Sequence, residues 1–109
     1  MKQKLSNYIA EKLLASGITD VFMITGGGAM HLNDSLGHHP GLSCLYHHHE
    51  QAAAMAAEAY ARVDNRMAAV CVTSGPGATN AITGALCAWM DSIPMLVLSG
   101  QVRYDTTVR

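Results

Sequence analysis

Asp20-Val-Phe-Met-Ile-Thr25, closed by Gly26-Gly27-Gly28, is the stretch that decides the fold. The run is short, almost continuously apolar and bounded by glycines, as expected of a strand buried on both faces of a parallel sheet; a half-exposed strand would alternate. Parallel strands need crossover segments, and the flanking sequence supplies them. Upstream, Leu5, Ile9, Leu13 and Leu14 recur at helical spacing and stop at Gly17, which reads as a helix end and turn. Downstream come a short helix over 29–36, a turn over 37–41 containing Pro40, and a brief strand over 42–46. An alanine-rich helix over 50–62 and a second apolar strand over 67–72 follow. Ser74-Gly-Pro-Gly77 then turns the chain into a helix running to about residue 90, and 94–99 is a fourth strand. The expected class is α/β: an open, mainly parallel sheet with helices on both faces, whose ligands gather beyond the carboxyl ends of the strands.

The bulk properties bound what such a domain does. A length of 109 residues allows one domain and not two. Half the residues are apolar and 14% are charged, a balance that favours a packed core over disorder. Lys and Arg number 7 against 8 Asp and Glu, so no basic stripe is available for nucleic acid or anionic lipid. Lys2, Lys4, Glu11 and Lys12 interrupt the N-terminal segment, which suits neither a signal peptide nor a membrane span, and a cytoplasmic location is expected. Cys44, Cys71 and Cys87 sit inside apolar runs without C-x-x-C spacing and read as buried thiols. The polar stretch 100–109 leaves the last strand without a closing helix, so the chain is expected to be one part of a longer α/β layer.

Three loops fall on the ligand-binding rim: 25–29, 47–51 and 73–80. Glycines there admit close approach of a ligand to the backbone, and Pro76 stiffens its turn, although glycines also serve simply to make turns. Glu50 stands where a strand meets the alanine-rich helix, and the first turn holds no other acid. A carboxylate there complements the helix dipole, which leaves the structural and the functional reading both open on spacing alone. His47-His48-His49, with His38 and His39 nearby, invites a metal reading. Consecutive side chains of a strand point to opposite faces, however, and no H-x-x-x-H pair is present, so no metal site is assigned. Thr25-Gly-Gly-Gly-Ala29 is not G-x-G-x-x-G, and Gly75-Pro-Gly77 lacks the Lys-Ser/Thr of a nucleotide loop. The helix after Gly77 still presents free N–H groups to a polar ligand edge. The helix Gln51-Ala-Ala-Ala-Met-Ala-Ala-Glu-Ala-Tyr60 is small on nearly every side, which suits tight packing or a subunit interface that keeps Glu50 out of water.

His49-Glu50-Gln51 with the alanine run to Arg62, Val72-Thr-Ser-Gly-Pro-Gly-Ala-Thr-Asn80, Met90-Asp-Ser-Ile-Pro94 and Ser99-Gly-Gln-Val102 occur in an order and at intervals that resemble one family. It is the pyrimidine-binding (PYR) domain of acetolactate synthase-like thiamine-diphosphate enzymes, and the resemblance covers nearly all of 1–109. It implies that Glu50 is catalytic, bonding N1′ of the cofactor's aminopyrimidine and favouring the imino tautomer whose 4′ nitrogen removes the thiazolium C2 proton. A charge-assisted hydrogen bond of this kind is worth roughly 1.5–3 kcal/mol. By the same match Pro76 and Asn80 would contact the pyrimidine, and Gly27 and Gly28 would line the approach of the cofactor.

The resemblance further implies a 2-oxo acid substrate, decarboxylation and carboligation, and a dimer or larger homo-oligomer. It implies Mg²⁺ and diphosphate held by a G-D-G…N segment of a separate domain, in further sequence or a partner chain, since 1–109 contain no such segment. FAD is possible by family analogy only. An acid at position 50 argues against the glyoxylate carboligase branch, which lacks one. Departures touch the substrate side: Gly26 stands where a proline is common, and the segment 17–29 is one residue longer than usual. A glutamine that such domains carry further along would fall beyond Arg109. The chain is therefore expected to be a partial PYR domain, inactive alone; the alternative is a non-catalytic remnant or interaction module that keeps the fold and pairs through its alanine-rich helix.

Overall fold

A strand with both faces covered has no polar position to spare, and β3 (Ala68–Val72) is buried at all five of its residues. It lies inside a sheet of order β2-β1-β3-β4, with β1 Asp20–Met23, β2 Ser43–Tyr46 and β4 Met95–Ser99. Every pairing in this computed structural model, which describes residues 2–107, is parallel, with Val21 opposite both Cys44 and Ala69, and Val70 opposite Val97. The expected open α/β sheet with helices on both faces is the fold observed.

The period of two along the central strands separates the two cores. Val21 and Met23 of β1 and Ala69 and Cys71 of β3 point to one side, where α1 (Leu5–Ala15) and α2 (Met30–Gly37) contribute Ala10, Leu13 and Leu36. Phe22, Ala68, Val70 and Val72 point to the other side, against α3 (Glu50–Asp64). There α3 packs beside α5 (Ile82–Met90). The buried face of α3 is Ala53, Ala54, Ala57 and Ala61, a stripe without side-chain bulk. Gly84 of α5 closes onto it so tightly that a Cβ at position 84 would lie 2.5 Å from the Cβ of Ala54. The tight packing that the small side chains of α3 suit is thus made by a helix of the same chain. The outward side of α5 is itself apolar, with Trp89 83% and Met90 73% exposed.

Several boundaries differ from the sequence expectation for local reasons. The first strand ends at Met23, but Ile24 still donates its N–H to the Cys71 carbonyl at 3.3 Å, so the backbone stays beside β3 to the rim. The helix α3 runs to Asp64 and stops because Asn65 adopts the left-handed conformation, φ 53°, one of the few non-glycine residue types that do so readily. The single helix expected after Gly77 is two: α4 (Pro76–Asn80) and α5. At the junction the Ala81 N–H reaches back three residues, to the Ala78 carbonyl at 3.2 Å, which tightens the turn and re-aims the chain. The edge strands β2 and β4 are more exposed than the central pair, as strands with one neighbour each must be.

Two expectations about cysteine and histidine need correction. Cys71 is buried and Cys44 half-buried, but Cys87 is exposed, because it lies on the outward face of α5 rather than toward Gly84 and Ala88. His47, His48 and His49 lie after the end of β2, so strand alternation is not what separates them. His47 bonds the Leu45 carbonyl through Nδ1 at 3.0 Å and its ring lies 5.8 Å from that of Phe22. His49 is the N-cap of α3: its Nδ1 accepts the Gln51 N–H at 3.1 Å, an imidazole in the role usually filled by Ser or Asp.

Candidate functional site

The carboxyl ends of β1 and β3 lead into glycine turns that share one residue, Thr73. Its Oγ1 accepts the Gly28 N–H at 3.1 Å. A Cβ on Gly26 would lie 2.5 Å from the Thr73 Cβ, and one on Gly77 2.7 Å from its Cγ2. A Cβ on Gly28 would meet the Ser74 hydroxyl at 2.8 Å. These glycines are required because the two turns interlock around one β-branched side chain. Gly75, with φ +61°, bends the chain so that Pro76 opens α4 at its first position, where a missing N–H costs nothing. On the far side, Gly100 donates its N–H to the Val72 carbonyl at 2.8 Å, and Gln101 donates to the Gly28 carbonyl at 3.0 Å. The end of β4 thereby ties down the first glycine turn.

Glu50 enters this rim from the start of α3. Its Oε2 accepts the side-chain amide of Asn80, the last residue of α4, at 3.1 Å. Its Oε1 lies 3.2 Å from where a Cβ on Gly77 would stand. The Asn80 bond, with help from the glutamate's own backbone N–H and from the charge of His49, holds the Glu50 carboxyl below the usual carboxylate range, and burial opposes this. Glu50 is only partly buried in the single chain, so there the hydrogen bonds win over desolvation. The carboxylate is ionised at neutral pH and acts as an acceptor.

Of the residues singled out from sequence, Glu50 and Asn80 are in direct contact, and Gly28 joins them through Thr73 and Gly77. Gly27 faces open space. Pro76 is exposed at the head of α4. A groove of about 770 Å³ runs from Lys4 and Ile9 past Gly27 and Gly28 to Gln101 and Arg103, and includes none of Glu50, Pro76 and Asn80. The chemistry-bearing carboxylate and this groove therefore approach each other at the first glycine turn. Thr73 and Gly77 carry geometry that no role was assigned to in the sequence. The available signal is a β-branched polar residue at a strand's end beside glycines on both adjoining turns. Among the described residues no three His, Cys, Asp or Glu side chains converge as metal ligands, and no helix is long and apolar enough to cross a membrane.

Residues 3–109 match the family described as thiamine pyrophosphate enzyme, N-terminal TPP binding domain. The chain is 47% identical over 94 residues to the acetolactate synthase large subunit of Buchnera aphidicola subsp. Schizaphis graminum, covering 86% of this chain and 16% of that protein. It is 46% identical over 94 residues to the acetolactate synthase isozyme 3 large subunit of Escherichia coli K12, with the same coverage of 86% and 16%. Against chloroplastic acetolactate synthase 2 of Zea mays the identity is 40% over 100 residues, covering 92% of the chain and 16% of that protein. The chain thus spans about a sixth of the length of these relatives, 16% in each case.

Proposed function

The chain belongs to the family of N-terminal TPP-binding domains of thiamine pyrophosphate enzymes, of the acetolactate synthase-like kind, and on that premise we propose that it holds the pyrimidine end of the cofactor, with Glu50 as the catalytic carboxylate. The observation that carries this reading is the placement of Glu50: a carboxylate at the carboxyl-end rim of a parallel sheet, gripped by Asn80 on one oxygen and beside the side-chain-free Gly77 on the other. Gly77 is required for this placement, because a Cβ there would lie 2.7 Å from the Thr73 Cγ2 and 3.2 Å from Oε1, and a flat heteroaromatic edge bearing a ring nitrogen would meet the carboxylate in the space over the rim. Gly28 and Asn80 border the same space, and Gly27 and Pro76 would flank it. The bound cofactor would supply a thiazolium carbon able to add to a 2-oxo acid and to hold the electrons released on decarboxylation.

The work of this chain is narrower. Glu50 holds or yields a proton at Oε1 toward a ring nitrogen, which sets the protonation state of the nitrogen heterocycle it faces. An ionised carboxylate can only accept, so sharing a proton at that atom requires the carboxyl's proton affinity to rise above its value here. Covering the rim does this, because removal of water disfavours the charged form. The outward apolar surface of α5, beginning at Ile82 two residues after Asn80, suits a second protein surface that would provide the cover. Diphosphate and Mg²⁺ would be held by a different domain, in further sequence or in a partner chain, and the assembled enzyme would be a homo-oligomer.

The test is exchange of the thiazolium C2 proton, followed by NMR in the complete enzyme. Replacing Glu50 by Gln keeps the shape and removes the ionisable oxygen, and is expected to slow exchange by orders of magnitude. An unchanged exchange rate in Glu50→Gln removes the assignment.

A further inference from the structure

We infer that Asn80 is a positioning residue for Glu50: its amide ties down Oε2 at 3.1 Å and leaves Oε1, beside Gly77, as the oxygen through which the carboxyl exchanges its proton. The inference rests on the proposed role of Glu50 and adds to it a choice of atom. A carboxylate only accepts, so the Asn80 amide must present its nitrogen to Oε2. A proton on Oε2 would point at those N–H hydrogens, whereas a proton on Oε1 leaves the Asn80 bond intact. Protonation is thereby directed to the oxygen that lies over the glycine.

The local structure is built to hold this pair. Pro76 fixes the start of α4, Thr79 bonds the Pro76 carbonyl through Oγ1 at 3.1 Å, and the tightened turn at Ala81 ends the helix one residue after Asn80. Asn80 therefore sits at a helix end where its short side chain could take a local backbone partner, yet it donates across to another helix instead. The choice of a neutral amide matters. An Arg or Lys there would hold the carboxylate ionised through any change of surroundings, while an amide orients it and leaves its charge adjustable. Other titratable influences on Glu50 are few: residues 25–29 and 73–80 contain none, and on its own helix His49 is the neighbour whose charge reaches it.

The experiment follows the Glu50 carboxyl by ¹³C NMR as a function of pH in this chain, labelled at glutamate Cδ. The sequence has three glutamates, Glu11, Glu50 and Glu58, and loss of one signal in Glu50→Gln assigns the resonance. Asn80→Ala is expected to move the Glu50 midpoint upward, and Asn80→Asp, which replaces the donor by a like charge, to move it further; the amide spectrum of each variant reports that the fold is kept. No movement in either variant overturns the inference, and so does an equal movement in both. In the complete enzyme Asn80→Ala is expected to slow C2-proton exchange roughly tenfold to a hundredfold, the span of one hydrogen bond to a charged group, and to shift the pH profile in the same direction as the titration. A loss of rate equal at every pH signifies structural damage and also overturns it. The titration needs no cofactor, so its failure leaves the assignment of Glu50 standing, whereas an unchanged exchange rate in Glu50→Gln removes that assignment without touching the Asn80 bond.

Discussion

Replacing Gly84 by Ala should destabilise the chain, although the same change in the middle of an unencumbered helix stabilises. Glycine in a helix interior costs about 0.5–1 kcal/mol relative to alanine, so propensity alone predicts a gain of that size. At position 84 the new methyl would lie 2.5 Å from the Ala54 Cβ, 2.7 Å from the Ala54 carbonyl carbon and 2.8 Å from the Met55 nitrogen. Carbon atoms pack at about 3.5–4.0 Å, so α5 must withdraw from α3 by about 1 Å, enough to forfeit a quarter to a half of the dispersion energy of each contact it opens. Overpacking of this kind costs about 1–3 kcal/mol, which exceeds the propensity gain. Taken at mid-range the net loss is about 1 kcal/mol, or a fall in Tm of roughly 4–8 °C for a domain of this size. Thermal unfolding followed by circular dichroism reads it directly. Gly27→Ala, where the methyl enters open space, serves as the control and should stay within about 0.5 kcal/mol of the parent. Adding Ala54→Gly to Gly84→Ala should restore only part of the loss, because two of the three contacts are to backbone atoms. A Tm for Gly84→Ala at or above that of the parent refutes the reasoning.

Thr73→Val keeps the shape around which the glycine turns interlock but removes the oxygen that accepts the Gly28 N–H. It is expected to cost about 1 kcal/mol, and hydrogen exchange at the Gly28 amide should quicken more than at β3; equal protection in both proteins would count against Thr73 as the tie. The three thiols should alkylate in the order Cys87, Cys44, Cys71, because the first is exposed, the second half-buried and the third buried, with burial pushing Cys71 up to about 11. A short iodoacetamide pulse read by mass spectrometry tests this, and labelling of Cys71 as fast as Cys87 in the native chain contradicts it. The raised Cys71 has a sign for stability as well: the folded state keeps the proton longer than the unfolded one. Its contribution is whole below about pH 9 and is lost as pH rises toward about 11, so the denaturant midpoint should fall over that window and fall less in Cys71→Ala.

The sheet was legible because its two central strands need no alternation. Val21 to Met23 and Ala68 to Val72 are apolar at every position, and only a parallel sheet covered on both faces asks for that. Helix ends were legible where a residue type carries its own conformation, as at Gly17 with φ +82° and Pro76 at the first position of α4. The break at Ala81 was not, since it depends on a hydrogen bond reaching back three residues instead of four, and alanine favours neither. The exposure of Cys87 was missed because nearly every residue of α5 is apolar, on its outward face as well as its inward one. A periodicity argument has no purchase on a helix without a polar side.

The site divides in the same way. Glu50 could be singled out as the lone acid at a helix start, but its acidity depends on Asn80, thirty residues away, and on the distance between α3 and α4, which no spacing in the sequence carries. That dependence sharpens what the chain can do. Hydrogen bonds orient Glu50 and lower its proton affinity, and the described residues supply too little burial to reverse them. On the proposed role the orientation is intrinsic to these residues, and the desolvation has to come from the surface that covers them. The two contributions are separable by measurement: covering the rim should raise the Glu50 midpoint with the Asn80 bond intact, while Asn80→Ala should raise it with the rim open. If the cover acted by breaking the Asn80 bond, the variant and the parent would titrate alike once covered. If it acts by excluding water, the variant should remain higher in both states, and the orientation of the carboxyl and its charge are then controlled by different surfaces.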